Sequence, residues 1–177
     1  MNQFKTLLSV ICLSSLSASV AFAEPTAFEA EATEHLVRLE DGKLSKVTAE
    51  SLGSKDYYAF YFSAQWCPPC RAFTPKLTEF YNEAIGHRDN FELIFISGDR
   101  SEKAMKEYMS DYGMKFLARS FDERRSSKSI SALQGNGIPQ LVVVDKNGKV
   151  VADSYENGDY VGPYKPLEIL KAKIKNN

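Results

Sequence analysis

Tryptophan, histidine and cysteine are scarce in this chain of 177 residues, which has one, two and three of them. The two histidines, His35 and His87, lie far apart and leave a closed metal centre short of nitrogen ligands. Net charge is equally small, with 22 basic residues against 23 acidic ones and a balance of −1. Such a chain carries no basic field for nucleic acid. A long apolar run is missing too. The stretch from Thr6 to Val20 is shorter and richer in serine than the run of about 20 apolar residues that a membrane-spanning helix needs.

What that stretch does have is the layout of a secretory leader. Lys5 gives a charged start, an apolar middle follows, and Ala21-Phe22-Ala23 forms an A-x-A site before Glu24-Pro25. Residues 1–23 are therefore expected to be a cleaved signal peptide, with an uncleaved anchor as the alternative. A lipid-modified Cys12 is disfavoured by the bulky Ile11 before it. The expected location is the bacterial periplasm, or else the secreted space. Cleavage removes Lys5 and Cys12, leaving 21 basic residues, 23 acidic ones and a net charge of −2. The cysteines that remain are Cys67 and Cys70. A domain of this length needs no staple to hold its core. A bridge across so short a loop would also remove little unfolded-chain entropy, so the pair calls for a chemical reason.

Residues 24–34 are Ala/Glu-rich and aperiodic, and are expected to be a loose or weakly helical lead-in to one domain over 35–177. "HLVRLEDGKLSKV" alternates around Asp41-Gly42 as a short hairpin. "YYAFYFSA" and "FELIFISGD" are nearly continuous apolar runs, suited to strands covered on both faces. Between them, Phe73, Leu77, Phe80, Tyr81 and Ala84 recur at helical spacing, in a helix that Pro75 kinks without ending. "SEKAMKEYMSDYG" predicts a second helix, with Ser101 as N-cap and Gly113 past its end. Residues 114–121 give no clear pattern, and "DERRSSKSISALQGNG" reads as a polar loop leading into a short helix that stops at Gly135-Asn136-Gly137. "IPQLVVVDKNGKVVADS" is a hairpin turning at Asn147-Gly148, and "PLEILKAKIK" an amphipathic helix starting at Pro166. The order predicts an α/β domain, a mixed sheet between helices on both faces.

Cys67 stands where a buried strand gives way to a helix. Unpaired N–H groups and the helix dipole favour negative charge there, so its thiol pKa should fall. Cys70, one turn on and more buried, can resolve a mixed disulfide formed by Cys67. Pro68 and Pro69 fall in the first helical turn, where no N–H is missed, and stiffen the loop. Trp66 offers a flat apolar shield. Pro139, opening a strand after Ile138, is either an ordinary strand-start proline or the mark of an edge, a bulge or a cis bond.

Taken together, "YFSAQWCPPCRAFTPKLTEFYNE", "FELIFISGDRSEKAMKEYM", "SFDERRSSKSISAL" and "GIPQLVVVDKNGKVV" resemble the thioredoxin superfamily, and within it the tryparedoxin and nucleoredoxin branch. The resemblance spans roughly residues 36–153 and implies a thioredoxin-like three-layer fold. It implies that Cys67 is the exposed nucleophile, Cys70 the resolving thiol and Pro139 a cis-proline beside them. It also places Ile138 in the groove that pairs with an extended substrate chain. A monomeric thiol:disulfide oxidoreductase follows, with no cofactor, that reduces protein disulfides and is recharged by an upstream thiol donor, membrane-borne if the protein is periplasmic. The alternative direction is a disulfide oxidase or isomerase. One position departs from the pattern. Thioredoxins carry a buried acid six residues before the first cysteine, and Tyr61 stands there. A phenol is a poor base near neutral pH. Glu79 and Asp99 are candidate substitutes, each expected instead to be a solvated surface residue.

Two other classes compete. A CxxC pair can supply thiolates to zinc or copper, but His35 and His87 read as ordinary strand and loop residues, and a copper-delivery protein of this fold would carry a late histidine. A non-catalytic binding module would often have lost a cysteine. Tyr155, Tyr160 and Tyr164 could form a partner site, although their Gly/Asp/Pro surroundings favour a loop packed onto the domain. Arg124-Arg125, between acidic neighbours, reads as a solvated charge cluster.

Overall fold

The structure, a computed structural model, describes residues 24–175. The expected leader, 1–23, lies outside them. The chain begins with helix α1 (Ala27–Ala32), strands β1 (Leu36–Glu40) and β2 (Lys43–Val47), a 3-10 turn at Ala49–Ser51 and strand β3 (Tyr57–Ser63). Helix α2 (Pro68–Ala84), β4 (Phe91–Ser97), α3 (Glu102–Asp111), β5 (Leu117–Arg119) and α4 (Lys128–Ala132) follow. Strands β6 (Gln140–Asp145), β7 (Val150–Asp153), β8 (Tyr155–Glu156) and β9 (Asp159–Tyr160) lead to helix α5 (Tyr164–Lys175).

Seven strands form one mixed sheet in the order β2-β1-β5-β4-β3-β6-β7. β3, β4 and β5 run parallel, joined through α2 and α3, and the remaining pairs are antiparallel. The central strands send alternate residues to opposite faces. Ala59, Tyr61, Leu93, Phe95, Leu141 and Val143 meet Phe73 and Leu77 of α2, Tyr108 of α3 and Leu170 of α5. Phe60, Phe62, Ile94, Ile96, Val142 and Val144 meet Ala32 of α1 and Ile130 of α4. This two-sided burial explains the continuous apolar runs, and each large side chain in it contributes about 1.5–3 kcal/mol. The expected three-layer α/β architecture is the one observed.

Three details differ from the reading of the sequence. Residues 24–34 hold α1, too short to persist alone but fixed by a capping box and by docking. The Glu29 N–H donates to Thr26 Oγ1 at 3.1 Å, and the Thr26 N–H to Glu29 Oε2 at 2.9 Å. Phe28 packs edge-on against Tyr58 and Phe60. Glu31 accepts hydrogen bonds from the Ser127 and Ser129 hydroxyls, both at 2.5 Å, which clasps α1 to α4. Strand β5 lies just before the polar loop, in a stretch to which the sequence assigned no element, and ends on a fully buried arginine. Arg119 donates to the carbonyls of Glu31 and Glu123 and to Ser126 Oγ. Helix α5 starts at Tyr164, two residues before Pro166.

Both predicted hairpins are present. The Asn147-Gly148 turn depends on its glycine twice over. Gly148 has φ +81°, and a Cβ there would lie 2.5 Å from the Phe28 ring. α2 continues through Pro75, which removes one backbone donor from its interior.

Candidate active site

Strand β3 ends at Ser63, and Ala64-Gln65-Trp66 carries the chain to Cys67, the N-cap of α2. Pro68 and Pro69 occupy the first two helical positions, as their missing N–H groups favour. The Cys70 N–H donates to Cys67 Sγ at 3.3 Å, so the sulfur itself caps the helix. Cys67 and Cys70 are joined in a disulfide with their Cα atoms 5.2 Å apart. Cys70 is fully buried and Cys67 is 4 % exposed, so the asymmetry has the expected direction but is small.

Two elements frame the pair. On one side the Ile138–Pro139 bond is cis, which answers the question Pro139 raised. Ile138 packs against Ala64, Cys67 and Cys70, and its carbonyl oxygen lies 3.7 Å from Cys67 Sγ. On the other side Trp66 is 55 % exposed, with its indole Nε1–H donating to the Gly98 carbonyl at 3.1 Å. The site residues named from the sequence, Trp66, Cys67, Pro68, Pro69, Cys70, Ile138 and Pro139, thus lie along one strand-end surface. A surface cavity of about 480 Å³ opens beside Trp66, lined by Gln65, Arg71, Asp99, Arg100 and Tyr112 among others.

Behind Cys70, in the place of a buried acid, is a cluster of hydroxyls. Tyr61 Oη lies 2.7 Å from Thr74 Oγ1 and accepts from Ser63 Oγ at 3.0 Å. Tyr108 Oη lies 2.5 Å from Thr74 Oγ1 and 3.0 Å from Ser63 Oγ. Thr74 Oγ1 also donates to the Cys70 carbonyl at 2.8 Å. Burial pushes the phenols of Tyr61 and Tyr108 up from their ordinary range, so both remain neutral at physiological pH. The cluster therefore positions the backbone under Cys70 and holds no carboxylate.

Of the two candidate substitutes, Glu79 is exposed, as expected. Asp99 is not a solvated surface residue. It is 4 % exposed, two residues past the end of β4, where it accepts from the Gln65 N–H and the Ser97 hydroxyl, each at 2.8 Å. Burial raises its pKa. His35 and His87 are exposed. Arg124 is partly buried, with its guanidinium donating to the Ser97 carbonyl and stacked over the Phe121 ring. It is not the freely solvated charge expected.

The segment of Tyr155 and Tyr160 packs onto the domain as expected, but sequence reading missed that it is a hairpin and that both tyrosines reach the far side of Pro139. β8 and β9 form a small hairpin in which Tyr155 pairs with Tyr160. Tyr155 Oη accepts from the Gly137 N–H at 2.5 Å, and Tyr160 Oη donates to the Pro139 carbonyl at 2.6 Å. Asn157-Gly158 was an available hairpin signal.

A cysteine pair closing at a strand–helix junction, opposite a cis-proline and on a mixed sheet between helices, defines the thioredoxin-like thiol oxidoreductases as a class. A profile described as thioredoxin-like matches residues 54–150, and the chain belongs to that family. Probable nucleoredoxin 1 of Arabidopsis thaliana is 37% identical over 145 residues, covering 70% of this chain and 25% of its own length. The chain thus spans about a quarter of that relative. Tryparedoxin of Trypanosoma brucei brucei is 41% identical over 105 residues, covering 58% of this chain and 69% of its own. Among solved structures, native tryparedoxin I from Crithidia fasciculata superposes with a TM-score of 0.55 at 38% identity, covering 67% of this chain and 78% of its own.

Proposed function

We propose that this protein is an exported thiol:disulfide oxidoreductase that reduces disulfides in proteins. The observation that carries the reading is the Cys67–Cys70 disulfide, with Cys67 at a helix start and facing the Ile138 carbonyl. In the reduced form, Cys67 loses its proton more readily than a free thiol, because the Cys70 N–H and the helix start stabilise its anion. The thiolate attacks one sulfur of a substrate disulfide. The S–S bond breaks, a mixed disulfide forms and one substrate thiolate leaves. Cys70 then attacks Cys67 Sγ, closing the Cys67–Cys70 bond and releasing the second substrate thiol. Two electrons pass to the substrate, and an upstream dithiol restores the pair.

The Cys70 proton needs an acceptor, and the hydroxyl cluster offers none. The departing substrate thiolate is a sufficient base, since its basicity matches that of the thiol it deprotonates. Ile138 and Pro139 receive an extended substrate chain, Trp66 covers one side of the reacting sulfurs, and Pro68 and Pro69 keep the cysteines within bridging range. The domain expected over 35–177, together with the docked α1, works as a monomer without a bound cofactor, after a leader at 1–23 has taken it to the periplasm or out of the cell. The test is a pair of variants assayed against a protein disulfide with dithiothreitol as donor. Cys67→Ser should abolish turnover and Cys70→Ser should trap substrates as mixed disulfides. Full turnover by Cys67→Ser overturns the assignment.

A further inference from the structure

The cis-proline loop is held by side-chain hydrogen bonds from three residues, Gln140, Tyr155 and Tyr160. Gln140, fully buried, accepts from the Gly135 N–H at 2.8 Å and donates to the Leu133 carbonyl at 2.9 Å and to Asp153 Oδ1 at 3.0 Å. Beyond it the two tyrosines take over. Tyr155 Oη binds the N–H of Gly137, immediately before Ile138, and Tyr160 Oη binds the carbonyl of Pro139, immediately after it. The N–H at the start of Gly137-Ile138-Pro139 and the carbonyl at its end are thus tied to one hairpin, while the Ile138 carbonyl between them faces Cys67 Sγ.

The hairpin is built for this contact. Tyr155 and Tyr160 are directly opposed in the β8–β9 register, with their rings edge-to-face at 5.3 Å. Asn157 and Gly158 both take positive φ, as a tight two-residue turn requires. Gly135 leaves room for the Tyr155 ring, which a Cβ there would approach to 2.4 Å. The Lys165 ammonium pairs with Glu156 and links the hairpin to α5. The Val161 and Gly162 N–H groups donate to the Ser154 carbonyl and anchor its base beside β6. Neither phenol touches a sulfur. Their leverage is on the backbone that meets the substrate.

We propose that Tyr155 and Tyr160 are positioning residues that set the Ile138 peptide edge for an extended polypeptide substrate. The proposal rests on the reading that the protein reduces protein disulfides. It makes the hairpin a determinant of selectivity for polypeptide over small disulfides, because a small disulfide meets the sulfurs without pairing with the Ile138 backbone. Tyr160 is 45 % exposed, although its hydroxyl is bonded to the Pro139 carbonyl.

The test compares wild type, Tyr160→Phe and Tyr155→Phe with dithiothreitol as donor, on insulin as the polypeptide disulfide and on a small aromatic disulfide. Each variant removes one hydroxyl and keeps the ring. The expected result is a rise of about three- to tenfold in KM for insulin, the range one hydrogen bond supplies. The loss in kcat/KM should be larger on insulin than on the small disulfide, and the reduction potential should not move. A loss equal on both substrates would mean that the tyrosines only hold the fold together, and no loss on either would mean they hold nothing that matters; both results overturn the proposal. Should one variant fail to fold, the other reads the same loop from the opposite side of Ile138. Wild type that leaves insulin intact while turning over the small disulfide overturns the protein-disulfide reading itself, an outcome visible before any variant is compared.

Discussion

The Tyr61 hydroxyl lies 2.7 Å from Thr74 Oγ1, beneath Cys70, at the point where a thioredoxin keeps its buried acid. Burial holds that phenol neutral. Its contribution is therefore structural, and Tyr61→Phe should cost about 1 kcal/mol of stability, the net worth of a hydrogen bond. The pH dependence of kcat/KM should keep its midpoint. A displacement of the midpoint by about one unit, equivalent to 1.36 kcal/mol between protonation states, would place Tyr61 in the proton path.

The clasp between α1 and α4 should make the protein acid-sensitive in a defined window. Hydrogen bonds from Ser127 and Ser129 lower the Glu31 carboxyl from 4.5 to about 2. A folded pKa below the unfolded one means that the stabilisation is fully present above about 4.5 and is lost as pH falls toward 2. In thermal melts across that window Glu31→Gln should lose less stability than wild type. Parallel curves for the two proteins would refute the clasp.

Two glycines with positive φ should respond unequally to a methyl group. At Gly148 the new Cβ would collide with Phe28, whereas at Gly158, with φ +91°, nothing lies within 4 Å. Gly158→Ala should cost about 1–2 kcal/mol, the penalty of left-handed backbone. Gly148→Ala should cost about 1–3 kcal/mol more, through the overpacking against Phe28. Urea unfolding measures both, and equal costs would mean that Phe28 yields freely.

How much of this was readable in advance follows from where the information lies. β3, β4 and β6 announce themselves because burial on both faces demands uninterrupted apolar residues. Cys67, Cys70 and Pro139 are legible through motif and strand context. β5 is hidden because its last residue is a buried arginine, whose partners Glu31, Glu123 and Ser126 come from elsewhere in the chain. α1 is only half legible, because Thr26-x-x-Glu29 is a local capping-box signal but a six-residue helix also depends on docking that local sequence does not encode. Within the site, Thr74 lies one helical turn past Cys70 and Ser63 is two residues past Tyr61, spacings that place each pair on one face. Tyr108 has no such cue, since α3 delivers it through the fold alone.

The most direct test of the central claim is the reduction potential of the Cys67/Cys70 pair, measured by equilibration with dithiothreitol or glutathione buffers. Around Cys67 Sγ one N–H favours the thiolate, while the Ile138 carbonyl can accept a hydrogen bond only from the thiol. Thiolate stabilisation is therefore moderate, and a strongly stabilised reduced form is what makes a dithiol an oxidant. The account predicts a value near about −270 mV, in the range of reductants. A value near about −120 mV would contradict it and make the protein a disulfide-forming catalyst.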